Sequence, residues 1–169
     1  VRCGNGWLSS KLPAVPLTQV AGIDVNHEEI TQARRIFKKS NLKFLCCPFD
    51  DLISCGQHFD MIVFAASLPY FANIEQVLQQ ASGMLKTGGE IHITDTHFYQ
   101  PAAVGFAARR CLDYYHKLGF PAMAAHYHHH TLNAFINFRH DILLNPAWLL
   151  PRLRKEPFYW IRVQKASLC

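Results

Sequence analysis

The chain of 169 residues carries a formal charge of +5; half its residues are hydrophobic and 17% are charged. That length suits one domain with a sizeable core, and that balance excludes a disordered or fibrous chain. The uncharged run MIVFAASLPYFANI from Met61 is too short and too interrupted to span a membrane, and no basic start leads into an apolar core as in a secretory signal.

Taken in order, strand-like and helix-like segments alternate, as in a mostly parallel sheet covered by helices. Gln19–Val25 (QVAGIDV) is short, apolar and flanked by turn formers. Asn26 then reads as a helix N-cap, with Glu29 completing a capping box. Ile30, Ala33 and Ile36 or Phe37 form the buried stripe of that helix, and Arg34, Arg35, Lys38 and Lys39 face water or lie near its C-terminal end. Leu42–Pro48 is the next strand. Phe59–Ala65 follows, apolar enough for burial on both faces. Asn73 caps a second helix with Ile74, Val77, Leu78, Ala81 and Leu85 on one side, Lys86 in its last turn and Gly88 as a left-handed C-cap. Glu90–Asp95 alternates like a strand. A further helix is expected from Pro101 to Leu118, ended by Gly119 and Pro121. Asn133–Leu144 and Phe158–Gln164 are the last strand candidates, with Pro146, Pro151 and Pro157 limiting any helix between them.

Six cysteines (Cys3, Cys46, Cys47, Cys55, Cys111 and Cys169) show no paired metal spacing. Cys46 and Cys47 adjoin within an apolar run, which suits buried free thiols in a reducing cytoplasm better than a disulfide framework. Arg152, Arg154, Lys155, Arg162 and Lys165 face one acid, Glu156, and read as solvated surface rather than a nucleic-acid footprint.

The chain opens with Val1-Arg2-Cys3-Gly4-Asn5-Gly6-Trp7-Leu8. Two glycines one residue apart let backbone turn sharply and approach a ligand, although an ordinary turn has the same appearance. Asp24 ends the next strand, where a βαβ nucleotide site places its ribose-binding acid. A carboxylate can accept from both vicinal hydroxyls.

CGNGWLS, the acid in VAGIDVN, PFDDL, FDMIVFAASLPYF and LKTGGEIHITD occur in the order seen in class I S-adenosylmethionine-dependent methyltransferases of the small-molecule type, which Val1–Asp95 resembles. The resemblance implies a Rossmann-like, doubly wound, mostly parallel sheet in three layers (α/β/α). It implies a single domain over 1–169, with 97–132 as a lid or acceptor-binding segment. Cys3, Gly4, Asn5 and Gly6 would cradle the methionine part of S-adenosylmethionine, and Asp24 would hold the ribose with Val25 beside the adenine. The backbone of Phe49 and the carboxylate of Asp50 (or Asp51) would meet the adenine edge, while the Phe49 ring reads equally as core. Ala65, Ala66 and Ser67 would line the methyl side. Two departures stand out. The family's acid and the strand carrying it would precede Val1, so the first strand is expected to be missing from this sequence; and Arg2 stands where the family has glycine.

Methyl transfer is an in-line displacement in which the protein chiefly aligns donor and acceptor. A base helps only if the acceptor must lose a proton. Ligands of open α/β sheets lie beyond the carboxyl ends of the strands, which makes Tyr70 and His97 the candidate catalytic residues, with Asp95 beside them. The stretch His126-Tyr127-His128-His129-His130 has three readings: pocket lid, metal site and surface. On extended backbone His128 and His130 share a side and His129 takes the other. With no Cys or acid nearby to complete a tetrahedral set, no metal is expected. Tyr114, Tyr115 and His116 are candidates for the same pocket.

The expected partner is a small-molecule methyl acceptor, with no nucleic acid and no membrane. Two rival readings use the same residues. A nicotinamide-dependent oxidoreductase would take Gly4, Gly6 and Ser9 as its fingerprint and Asp24 as its ribose acid. A non-catalytic Rossmann-like binding module would account for Arg2.

Overall fold

The computed structural model describes residues 1–54, 56–148 and 158–165. They fall into two compact units, Val1–Gln57 and His58–Cys169.

In the first unit β1 (Val20–Asp24) and β2 (Leu42–Cys46) pair in parallel, Val20 opposite Leu42 and Asp24 opposite Cys46. Parallel neighbours need a crossover, here α1 (His27–Ile36). Its start is set by Asn26, whose Oδ1 accepts from the N–H groups of Glu28 at 3.0 Å and Glu29 at 3.3 Å. These are two of the donors a helix start leaves open. Asn26→Ala should therefore cost about 1 kcal/mol, read as a lower urea midpoint at unchanged slope. α1 buries Ile30 and Ala33 against Leu42 and Phe44, and Cys3, Val20 and Phe37 close that cluster. Phe37, not Ile36, thus completes the stripe; Ile36 is exposed. Arg34 is exposed in the last turn, as expected, and its guanidinium donates twice to the Phe44 carbonyl at 3.0 and 2.8 Å. A short α2 (Phe49–Ile53), which the sequence did not suggest, follows Pro48.

The second unit holds a four-stranded sheet of order β3-β4-β6-β5, with β3 Phe59–Ala65, β4 Leu85–Thr96, β5 His140–Leu144 and β6 Tyr159–Gln164. β3 and β4 are parallel, and β6 runs antiparallel to both β4 and β5. α3 (Ile74–Gly83) makes the crossover, capped by Asn73 accepting from the Gln76 N–H at 3.0 Å. Ile74, Val77, Leu78 and Ala81 are buried as the spacing required.

One side of this sheet is the core: Phe64, Ile91, Ile93, Ile161 and Val163 are fully buried. The other side is polar. Trp160 Nε1 donates to His92 Nδ1 at 2.9 Å, leaving the ring's proton on Nε2, 3.0 Å from Glu90. Arg162 pairs with Glu90 at 3.3 Å and Asp141 at 2.8 Å. β3 is accordingly buried on one face only; Ile62 and Phe64 point inward, and Met61, in register with Glu90, is exposed.

Three further expectations shift. α3 stops at Gly83, and Leu85 and Lys86 belong to β4 because Leu85 pairs with Phe59 and is fully buried. Gly88 has the expected left-handed conformation (φ +76°), but in a bulge: Phe59 faces Leu85 while Met61 faces Glu90. The strand sought at Asn133–Leu144 begins only at His140, because Phe135, in the 3₁₀ turn Leu132–Phe135, is fully buried edge-on to Phe98 with ring centres 5.2 Å apart.

α4 (Val104–Lys117) follows the 3₁₀ turn Pro101–Ala103, and Gly119 at φ +82° ends that stretch. Pro146 opens a short 3₁₀ turn. Pro151, Pro157, Arg152, Arg154, Lys155, Glu156, Cys55 and Cys169 lie outside the described residues. Of the late basic residues that are described, Arg162 is ion-paired and Lys165 donates to the Leu85 carbonyl. Cys3, Cys46, Cys47 and Cys111 form no disulfide, but Cys46 is exposed rather than buried: it shares the side of Leu42 and Phe44 on β2, yet at the strand's last position it lies beyond the cluster they form with α1. Among the described residues no helix is long and apolar enough to cross a membrane.

Candidate cofactor and acceptor sites

In the first unit the glycine bend is tied to the tip of β1. Cys3 N–H donates to the Ile23 carbonyl at 2.8 Å, and Gly6 N–H to the Cys3 carbonyl at 3.0 Å. Asp24, only 8% exposed, takes Gly4 N–H on Oδ2 at 2.8 Å and Asn26 N–H on Oδ1 at 2.9 Å. Each carboxylate oxygen accepts one backbone N–H in this clamp and keeps a further lone pair. Val25, next to it, leaves a half-exposed apolar side chain. Asn5 is exposed, and its Oδ1 accepts from the Trp7 N–H at 3.2 Å.

The two glycines serve different ends. Gly4 has φ +52°, and a Cβ there would find only Glu29 Oε2, at 4.0 Å. Its open side is where another molecule's atoms can come close to backbone. Gly6 has φ +80°, and a Cβ would stand 2.6 Å from the Phe44 ring and 2.9 Å from Ala33 Cβ. Its missing side chain makes room for the unit's own core. Arg2 has φ +49°, the left-handed conformation that costs a residue with a Cβ about 1–2 kcal/mol and that explains a glycine there in the family. The Cys3 thiol packs against the core, and burial pushes its pKa up to about 11, so it is no nucleophile.

Phe49 is buried, its ring in the core; that leaves its backbone, at the start of α2, as the part able to meet a ligand. Asp50 and Asp51 are exposed in the first turn of α2, where the helix dipole favours acids.

In the second unit two neighbouring strands end in strained residues. Ala66, just past β3, has φ +52°, and Asp95, near the end of β4, has φ +53°. Non-glycine residues in this region mark places where surrounding structure holds the backbone against its preference. Ala66 N–H is held by the Thr94 carbonyl at 3.0 Å, and Ala65 is half-buried beside it. Ser67 is 1% exposed, and its hydroxyl has no hydrogen-bond partner among the described residues. Such a group calls for a water or a ligand.

The histidine-rich stretch lies across these tips. His128 N–H donates to the Pro69 carbonyl at 2.6 Å, and Tyr99 N–H to the His130 carbonyl at 2.8 Å. The alternation expected of extended backbone holds, with His128 and His130 rings 6.3 Å apart on one side and Tyr127 and His129 rings 5.4 Å apart on the other. The His130 ring lies against the backbone of Leu68 and Phe71, its Nε2 has no partner among the described residues, and burial lowers its pKa. It is a neutral imidazole at pH 7.

Tyr70 and His97 are joined through a chain of rings. Tyr70 meets Tyr127 edge-on at 5.8 Å, Tyr127 meets His129, His129 meets Tyr99 at 5.3 Å, and Tyr99 meets His97 at 4.3 Å. Beside the chain opens a cavity of about 300 Å³, lined by Tyr99, Tyr114, Tyr115, Tyr127, Arg110 and His129. Tyr99 and Arg110 escaped the sequence reading. The helical spacing of residues 107, 110–111 and 114–115 held the signal, since it puts a small residue, a cation and two tyrosines on one side of α4. His116, grouped with Tyr114 and Tyr115 from the sequence, is exposed and does not line it. Among the described residues no three His, Cys, Asp or Glu are grouped to hold a metal ion.

The first unit thus carries a glycine bend clamped to an acid at a strand tip, and the second carries strained tips closing two parallel strands. The methyltransferase-domain family model matches residues 1–89, more than half the chain. The chain belongs to that family. No curated protein matches it in sequence. Among solved structures it is similar to a Listeria monocytogenes protein assigned as an S-adenosylmethionine-dependent methyltransferase (TM-score 0.74, 16% identity, covering 99% of this chain and 89% of that one). It is also similar to an S-adenosylmethionine-dependent methyltransferase from Mesorhizobium loti (0.68, 18%, 96% and 87%). A third is the plantazolicin methyltransferase BpumL, solved with a triazolic desmethylplantazolicin analogue and S-adenosylhomocysteine (0.66, 16%, 98% and 75%). The expected family and Rossmann-like α/β fold are thereby borne out.

Proposed function

We propose that the chain transfers a methyl group from S-adenosylmethionine to a small-molecule acceptor, its two units making up one methyltransferase domain. The observation carrying this reading is the clamp of Asp24 on Gly4, which sets a carboxylate with free lone pairs beside an open glycine. Asp24 would accept from the ribose hydroxyls, Gly4 and Asn5 would lie along the methionine part with Cys3 and Gly6 shaping the bend, and Val25 would cover the adenine. The Phe49 backbone and Asp50 would meet the adenine edge, and Ala65 and Ala66 the methyl side. When bound, the donor supplies an electrophilic methyl on a positive sulfur.

The remaining work is alignment and, for a protic acceptor, proton removal. Tyr70 and His97 are the groups proposed for that contact, and residues 97–132 form the acceptor-binding segment. The test is transfer of label from methyl-labelled S-adenosylmethionine in a cell extract, with the products separated by size. Label in the small-molecule fraction is the expected result. Label confined to protein or nucleic acid overturns the acceptor class. No label together with no binding of S-adenosylhomocysteine in calorimetry overturns the activity.

A further inference from the structure

The cavity beside α4 is selective in its chemistry. Four tyrosine rings supply flat apolar walls ending in hydroxyls, and Arg110 is the one charged side chain among its lining residues. Arg110 has no ion-pair partner among the described residues, and no acid lines the cavity. Burial raises the pKa of Tyr115 and Tyr127, so their hydroxyls stay protonated donors. Burial first, and Arg110 second, lower that of His129, so its ring is neutral at pH 7. A cation would meet Arg110 without a counter-charge. An anion would meet a guanidinium built for planar, bidentate recognition of a carboxylate.

Size narrows the class further. At about 300 Å³ the cavity stands at the small end of ligand pockets and takes a single ring with its substituents. Rings of this kind prefer offset or edge-on neighbours, and Tyr127 already meets both Tyr70 and His129 edge-on. Tyr127 both lines the cavity and touches Tyr70 near the tip of β3, so a ring seated here adjoins the residues proposed for the acceptor.

We infer that this cavity is the acceptor subsite and that the acceptor is a one-ring aromatic acid, its ring held among Tyr99, Tyr114, Tyr115 and Tyr127 and its anionic group on Arg110. The inference rests on the methyl-transfer reading for the word acceptor; the binding chemistry stands on the cavity alone.

The experiment uses three probes of one shape: 4-hydroxyphenylacetate, its neutral methyl ester, and the cationic tyramine. Binding to the whole chain is followed by ligand-observed NMR and calorimetry at millimolar probe. The acid should bind at least ten times more tightly than the ester, and tyramine not measurably. Arg110→Gln should remove that tenfold, about 1.4 kcal/mol, while leaving the ester unchanged; Tyr127→Leu should weaken acid and ester alike. Arg110 is exposed, so the Gln variant should fold, and an unchanged melting temperature checks this. Tyramine binding as well as the acid, an Arg110→Gln variant indistinguishable from wild type toward the acid, or no binding of any probe would each overturn the inference. S-adenosylhomocysteine binding is measured on the same samples. Its absence would refute methyl transfer while leaving an aromatic-acid site in place, so the two failures are separable.

Discussion

Replacing Asp24 by Asn should both loosen the glycine bend and abolish tight cofactor binding. The carboxylate accepts two backbone N–H groups, from Gly4 at 2.8 Å and Asn26 at 2.9 Å, at a site only 8% exposed. Asparagine has one oxygen and one NH₂ at these positions, so whichever way it turns, one N–H faces another donor. A backbone donor left unmet in a buried place costs about 1–3 kcal/mol, and the lost charge adds to this because bonds to an ionised acceptor are the stronger kind. A loss of about 2–3 kcal/mol in urea unfolding is expected. Affinity for S-adenosylhomocysteine, measured where the variant remains folded, should fall at least thirtyfold, because the remaining lone pairs are those proposed for the ribose. Loss of stability with wild-type affinity would assign Asp24 to the bend alone and remove it from the ribose site.

The sequence carried this part of the site because the chemistry is local in type, if not in position. A Gly-x-Gly bend, an acid at a strand end and an Asn cap each have one geometric use, and Asn26 caps α1 with two hydrogen bonds. What it did not carry was the destination of side chains whose role depends on a distant neighbour. Gly6 looked like a ligand-facing glycine, but Phe44 occupies the space beside it. Leu85 fitted the helical stripe of α3 and instead pairs with Phe59 in the sheet, because strand and helix compete for the same apolar residue and tertiary pairing decides. β3 looked buried on both faces because Met61 and Val63 are apolar, yet the sheet face they share carries Glu90, His92 and Arg162. Nothing in the sequence sets Arg110 apart from the chain's other cations; its place beside the cavity depends on which side of α4 faces Tyr99 and Tyr127.

The sharper consequence concerns the two glycines, which the motif treats as equivalent. Gly6→Ala should be among the most damaging small substitutions in the chain. At φ +80° an alanine pays about 1–2 kcal/mol for the left-handed conformation. Its Cβ would also stand 2.6 Å from the Phe44 ring and 2.9 Å from Ala33 Cβ, closer than van der Waals contact, and overpacking of a filled core costs about 1–3 kcal/mol more. The stiffer unfolded chain returns about 0.4–1 kcal/mol. A net loss of about 2–4 kcal/mol is expected, enough to unfold much of a marginal domain. Gly4→Ala shares the left-handed penalty, at φ +52°, but has nothing nearer than 4.0 Å, so its cost in stability should stay near 1 kcal/mol. On the proposed function its methyl would stand on the side the cofactor approaches, so its larger effect should be on affinity. Because the Gly6 cost is a clash, Phe44→Leu should make Gly6→Ala more tolerable than the sum of the two single changes, a coupling read from a double-mutant cycle. Equal stability losses at Gly4 and Gly6, or strict additivity with Phe44→Leu, would show that backbone conformation alone, and not the packing of Phe44 into the bend, governs this loop.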